Sequence, residues 1–336
     1  MKIVTCASYY SSGSSAVTDL LSEYSCVKAI TDSELRFVHD PDGISELEFN
    51  LVENFNRHNS GHALKRFKRL VDYYGDHYLV RRYEPIFNNK WKQISYEYID
   101  SLICFKYLGY WDYDFYDRGN LFEFWRKLPI RIMRRTLWRY KPDKQLNLLP
   151  KEVTFASHPS EKMFLECTKR YTTKLFEAAN PELKPIILTD QILPSTNIKR
   201  HMRYFDDNIQ CIIVDRDPRD IYLFSKYEND DKIVPHDINL FCEWYLYART
   251  TRDEELFDTK KVILVQFEDL VYKYEETKNK IINWIGIEES SHLYKNKFFN
   301  PYVSKKNTRY WIQHPECTEE ANEISKRLPN FLYHLD

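Results

Sequence analysis

Apolar residues cluster in four short, nearly unbroken runs: KIVTCA (2–7), PIILTD (185–190), QCIIVDR (210–216) and KVILVQF (261–267). A strand buried on both faces has no solvent side to alternate with, so it reads as a continuous Val/Ile/Leu run. Each run gives way to polar residues and then to helix-like periodicity, the pattern of a parallel sheet covered on both faces. CVKAI (26–30) predicts a fifth strand. Helices are predicted at 16–24, at 161–180 (stopped by Pro181), at 237–257 and at 272–286. Asp237 is placed to cap the third of these, whose Ile238, Phe241, Tyr245 and Ala248 recur at helical spacing. Gly286 suits the C-terminal end of the last. The expected fold class is α/β, a three-layer parallel sheet, formed by residues 1–336 as a single domain.

Residues 61–150 break this rhythm. They are aromatic and basic and lack buried-strand runs, which predicts a helical insertion between the two halves of the sheet, shaping an acceptor site. Within it, RGNLFEFWRKLPIRIMRRTLWRYK (118–141) carries eight basic residues against one acid, Glu123. Three readings fit: a cradle for an anionic or lipid-linked acceptor, docking on an anionic membrane surface, or two helices broken at Pro129 with solvated basic faces.

Composition narrows the partners. Lys and Arg total 49 against 50 Asp and Glu, a formal net charge of -1, so no global field points to nucleic acid. An anion site must be local. The seven cysteines show no CxxC or His–Cys metal spacing, which suits reduced thiols in a cytoplasmic protein. The N-terminus turns polar too soon for a signal peptide, and no apolar run is long enough to span a bilayer. Aromatic content is 16%, with 26 tyrosines. Tyr73, Tyr74, Trp91, Tyr107, Tyr110, Trp111 and Tyr113 could stack on sugar faces or fill a core.

The first apolar run leads into SSGSS, Ser11–Ser15, and then a helix. Such a junction points unsatisfied helix N–H donors, worth ~half an elementary charge, at whatever lies in front of them. Gly13 permits a tight turn, and Ser12, Ser14 and Ser15 add hydroxyl donors. The same residues would also serve as an ordinary Ser-rich capping turn. No Lys follows Gly13, so the triphosphate-binding pattern GxxxxGK[ST] is absent. In IIVDRDPRDIYLFSKY (212–227), Arg216 ends a strand, Pro218 starts a turn and Ser225 lies further along. An Arg fork at the carboxyl end of a parallel strand suits a terminal phosphate.

With these residues together, the chain resembles the sulfotransferases that use 3'-phosphoadenosine 5'-phosphosulfate (PAPS), including the carbohydrate-modifying ones. The resemblance covers residues 1–25 and about 185–311. It implies a P-loop-like sheet, with Ser11–Ser15 holding the 5'-phosphosulfate and Arg216 and Ser225 the 3'-phosphate. It further implies that Ser304, Lys305, Lys306, Asn307 and Arg309, in FFNPYVSKKNTRYW (298–311), close on the nucleotide. ILVQFEDLVYKYEETKNKIINWIG (263–286) fits the family's edge strand and helix, making Glu268 and Asp269 structural. Asp190, in IILTDQILP, stands where cytosolic relatives carry a catalytic His, and is the candidate base; it could equally cap the next helix. The implied reaction is sulfuryl transfer from PAPS to a hydroxyl of a glycan or glycoconjugate, without metal.

Two departures accompany the resemblance. Ser11 replaces the family's loop Lys or Arg, leaving Lys305, Lys306, Arg309 or Arg81–Arg82 to supply the cation. The Arg-to-Ser spacing is one residue longer than the family's, with Phe224 at the expected serine position; a turn extended near Pro218 would restore Ser225. His39, His236 and Glu243 are unassigned. A nucleotide-dependent kinase on the same sheet, or a non-catalytic nucleotide- or glycan-binding protein, are the alternatives.

Overall fold

The predicted apolar runs form strands in a computed structural model that describes residues 1–76, 82–141, 143–229, 232–253 and 257–335. Its strands are β1 (Lys2–Ser8), β2 (Val27–Ile30), β3 (Phe105–Leu108), β4 (Val153–Ala156), β5 (Ile186–Asp190), β6 (Ile209–Asp215) and β7 (Val262–Gln266). Five make one wholly parallel sheet in the order β2-β5-β1-β6-β7. Alternate side chains feed two cores. Ile3 and Ala7 of β1, with Cys211 and Ile213 of β6, enter one; Val4 and Cys6, with Ile212 and Val214, enter the other. Both faces are thus buried under helices, and the α/β class is as expected.

The strand order decides where a site can form. β2 and β5 lie to one side of β1, β6 and β7 to the other, so the connections reverse direction at β1. Loops leaving the carboxyl ends on either side of such a reversal diverge and open a crevice. The serine loop leaves β1 at that crevice.

The insertion departs from expectation. It overlaps the helix Arg57–Asp76 and holds the helices Trp91–Leu102, Tyr113–Tyr116 and Asn120–Arg135, but also β3, which pairs antiparallel with β4 just beyond its expected end. All four residues of β3 are exposed, although Phe105, Tyr107 and Leu108 are large and apolar or aromatic. Pro129 does not break its helix: one helix runs from Asn120 to Arg135 through it. Proline leaves the carbonyl four residues earlier, that of Trp125, without a helical partner. This helix has no buried residue, so water can serve that carbonyl. Tyr74 and Trp91 are core residues rather than sugar platforms, the Trp91 indole donating to the Val71 carbonyl at 2.9 Å.

Candidate active site

Leaving β1, the chain folds back at once, with Ser12 N–H bonded to the Tyr9 carbonyl at 3.0 Å. Ser11 (φ 60°) and Gly13 (φ 90°) both take left-handed backbone, and Gly13 becomes the N-cap of α1 (Ser14–Ser22). The cap residue therefore brings no side chain, and the serines are not there to cap. Glycine is required twice over at position 13: its φ is left-handed, and a Cβ would sit 2.7 Å from Cδ2 of Phe267. Gly13→Ala should lower unfolding free energy by about 2–4 kcal/mol, combining left-handed strain and displacement of the ring. A urea titration would measure it; an unchanged midpoint would mean that the ring moves freely.

Arg216 follows β6, the next strand over. Its guanidinium is buried between the rings of Phe224 and Phe267, each 5.2 Å away. Nη1 donates to the Ser11 carbonyl at 3.0 Å and Nη2 to the Asn307 carbonyl, so one side chain ties the serine loop to the C-terminal segment. Its Nε has no partner. Burial lowers its pKa, opposed by the charges of Asp220, Glu268 and Asp217. Glu268 accepts the Asp217 N–H at 2.9 Å and so joins the ends of β6 and β7, the structural part expected of it. At the far end of α1, buried Glu23 accepts from His292 and from the backbone N–H of Asn296, Phe298 and Phe299, which fixes the C-terminal segment against the helix.

These elements enclose a cleft of about 330 Å³ lined by Ser11, Gly13, Ser15, Asp19, Arg216, Asn229, Ser304 and Asn307, with Phe224, Phe267, Phe298 and Phe299 as apolar walls. The serine loop also borders a second cavity, of about 470 Å³, lined by Ser8–Ser15, Glu34, Arg36, His39, Gln191, Trp244 and Tyr247 among others. One loop thus separates two hollows, one on the Arg216 side and one on the β2 side.

Asp190 closes β5 beside this loop. It receives a hydrogen bond from the Ser14 hydroxyl, and its buried Oδ1 has no partner. Burial, followed by the charge of Glu34, pushes its pKa up to about 7. The next helix, Ile198–Met202, has Asn197 as its N-cap, so Asp190 is not spent capping it. His39 Nε2 donates to the Gln191 carbonyl at 2.8 Å, and burial lowers its pKa.

Other expected site residues lie elsewhere. Ser225 is fully buried and does not line the cleft; Phe224 does. No turn is extended near Pro218: Asp217 caps a helix that starts there, and the chain then widens into a π-helical stretch over Ser225–Asn229. Lys305 and Lys306 are exposed and line neither hollow. Arg309 borders a separate cavity with Arg219, Trp311 and Tyr333, its backbone N–H held by Asp220 at 2.8 Å. Arg82 lies over the Tyr74 ring, and Arg81 falls outside the described residues. Besides Arg216, the cation that borders the serine loop is Arg36, on the β2 side, ion-paired to Asp40 at 2.9 Å. Together with Glu34 and His39 it sits in DSELRFVH, just past β2, at the same end of the sheet as the loop. That position was the available signal.

No family model and no curated protein matches this chain. Among solved structures, it is similar to the sulfotransferase STF9 from Mycobacterium avium, with a TM-score of 0.40 and 9% identity over 100% of this chain and 78% of that one. So faint a likeness carries no argument about the reaction, which has to be reasoned from the residues.

Proposed function

We propose that this chain transfers a sulfuryl group from PAPS to a hydroxyl of a glycan or glycoconjugate. The observation that supports it best is the convergence of Gly13 and Arg216 on one cleft, tied by the Arg216–Ser11 bond. Buried polar atoms with no partner inside the protein border the site: Ser12 Oγ and Arg216 Nε in the walls of the two hollows, and Asp190 Oδ1 behind the serine loop, outside the lining of either hollow. Unsatisfied buried groups are costly, and a ligand that meets them is favoured. Two donors and one acceptor suit an anion and a hydroxyl. The residues fit the donor nucleotide.

When bound, the nucleotide supplies an activated sulfuryl group on its 5'-phosphate. The remainder is the work of this chain. The α1 N–H groups and the serine hydroxyls would hold the 5' end, with Arg36 on the β2 side as the cation in place of a loop Lys. Arg216 Nε, the Ser304 hydroxyl and the Asn307 amide face the 3' end, while Phe224 and Phe267 keep the guanidinium flat. With a donor bound, Asp190 would take the proton of an acceptor hydroxyl as that oxygen joins the sulfuryl group and the nucleotide phosphate leaves. Its raised pKa is near the range in which a carboxylate base works at neutral pH. Tyr10, Trp244 and Tyr247 on the β2-side hollow offer faces for a sugar.

Calorimetry should show adenosine 3',5'-bisphosphate binding at least about tenfold tighter than ATP, one charge-assisted contact being worth that much. Equal or reversed preference would overturn the donor assignment. Transfer of labelled sulfate to a panel of acceptors then tests the glycan: labelling of phenols or amines alone would reject it. Tight bisphosphate binding without transfer to any acceptor would favour a binding protein.

A further inference from the structure

The helix Asn120–Arg135 is 16 residues long and has no buried residue. Leu121, Trp125, Leu128 and Ile132 fall at i, i+4, i+7 and i+11, which is one stripe of an α-helix. Leu121 is 74% exposed, Trp125 63% and Ile132 52%, and Phe124 beside them is exposed as well. The chain after the helix continues in kind, with Leu137 76% and Tyr140 88% exposed. A stripe of large apolar side chains facing water is a binding surface or a liability.

Charge selects what covers it. Arg126, Lys127, Arg131 and Arg134 lie off the stripe, interspersed with Phe122, Ile130 and Met133; Arg135 borders the stripe, and Arg118, Arg139 and Lys141 flank the helix. Eight basic residues less one acid give +7 over 118–141, on a chain whose total is -1. The single acid is already used, Glu123 pairing with Lys127 at 2.6 Å. The contact with the rest of the fold is narrow: Phe122 meets Phe115, Lys127 lies over the Phe115 ring, and Arg118, ahead of the helix, is ion-paired to Glu152 and so is not among the cations left for lipid. No helix among the described residues is long and apolar enough to cross a membrane, and this one is far too charged to do so.

We infer that the segment 118–141 docks this protein on an anionic lipid bilayer, lying in the interface plane. Leu121, Trp125 and Ile132 enter the acyl boundary, while the arginines meet lipid phosphates and headgroup carboxylates. An apolar stripe walled by cations, with Trp and Tyr at its margins, has the chemistry of an interfacial helix. A nucleic acid would not call for the aliphatic stripe, and an acidic protein partner would not favour so continuous a one. The inference is independent of the proposed reaction.

The test is sedimentation of the full chain with phosphatidylcholine vesicles and with phosphatidylcholine–phosphatidylserine vesicles. Partitioning onto the anionic vesicles should be at least about tenfold stronger, and high salt should weaken it. The triple variant Leu121→Ser, Trp125→Ser, Ile132→Ser should lose about tenfold or more of that binding, its melting temperature unchanged because these positions are exposed. Arg131→Glu with Arg134→Glu should lose it too. Equal binding to both vesicle types, or serine variants that bind as the parent does, would overturn the inference. So would a concentration-dependent dimer in ultracentrifugation that the serine variants abolish, which would show a second copy on this face.

Discussion

Asp190→Asn should abolish turnover, by roughly 10²–10⁴-fold, while leaving the affinity for adenosine 3',5'-bisphosphate within about twofold. The carboxylate faces the serine loop through Ser14 and has one buried oxygen unserved, so Asn keeps the shape and removes only the base. The pH dependence is fixed by the same environment. Asp190 is pushed up to about 7, so kcat/KM should rise across neutral pH and level off above it. Glu34→Gln should move that midpoint down, because the Glu34 charge is the second cause of the shift. Stability must change in the opposite sense. The folded pKa lies above the unfolded value of about 3.9, so between the two the folded state holds the extra proton. The contribution of Asp190 to stability is full below pH ~4 and is lost as pH rises towards ~7. Asp190→Asn, which never ionises, should therefore melt at a higher temperature than the parent above neutral pH and close to it in acid. A variant that keeps its activity removes Asp190 from the base role; a pH profile with no limb near neutrality does the same.

Burial on both faces made the sheet legible. β1, β5 and β6 are apolar at nearly every position because both their faces are buried, and β7 reads alike although Leu264 of this edge strand is exposed; the limits of all four fall within one or two residues of those read from sequence. β3 was illegible for another reason: its four residues, FKYL, follow closely on the apolar end of the helix Trp91–Leu102 and pair only with β4, so their pattern does not separate them from the helix. Pro129 shows propensity giving way to solvent: a helix that water reaches all round tolerates a missing bond that a buried helix would not. The two halves of the site could be named separately, since each ends a readable strand. That they face one another depends on β6 lying next to β1, and strand order is written in no local pattern. Arg36 escaped notice and His39 could be given no role because β2 is only four residues long and the stretch after it looks like an ordinary polar loop. Ser225 was misplaced for a local reason. Helix phase from Pro218 brings Phe224 to the cleft, and the extra residue is absorbed afterwards by the π-helical turn.

Arg216→Ala should weaken adenosine 3',5'-bisphosphate binding by about 100-fold, the equivalent of ~2.7 kcal/mol. Two effects contribute, and they can be separated. The guanidinium holds the Ser11 and Asn307 carbonyls, so truncation frees the serine loop from the C-terminal segment and opens a gap between Phe224 and Phe267. That part should also lower unfolding free energy, by about 2–4 kcal/mol, as losses of buried networks do. The other part is the free Nε, the donor assigned here to the 3'-phosphate. Arg216→Lys retains a cation but cannot serve two carbonyls and a phosphate from one nitrogen, so it should recover little of the affinity. Comparison with adenosine 5'-monophosphate separates the causes. A slackened loop would weaken both nucleotides alike, since both use the 5' end. A lost 3'-phosphate contact would weaken only the bisphosphate and bring the two affinities together. If the folded variant still prefers the bisphosphate as strongly as the parent does, Arg216 is a tie between loops and nothing more, and the 3'-phosphate must be held elsewhere.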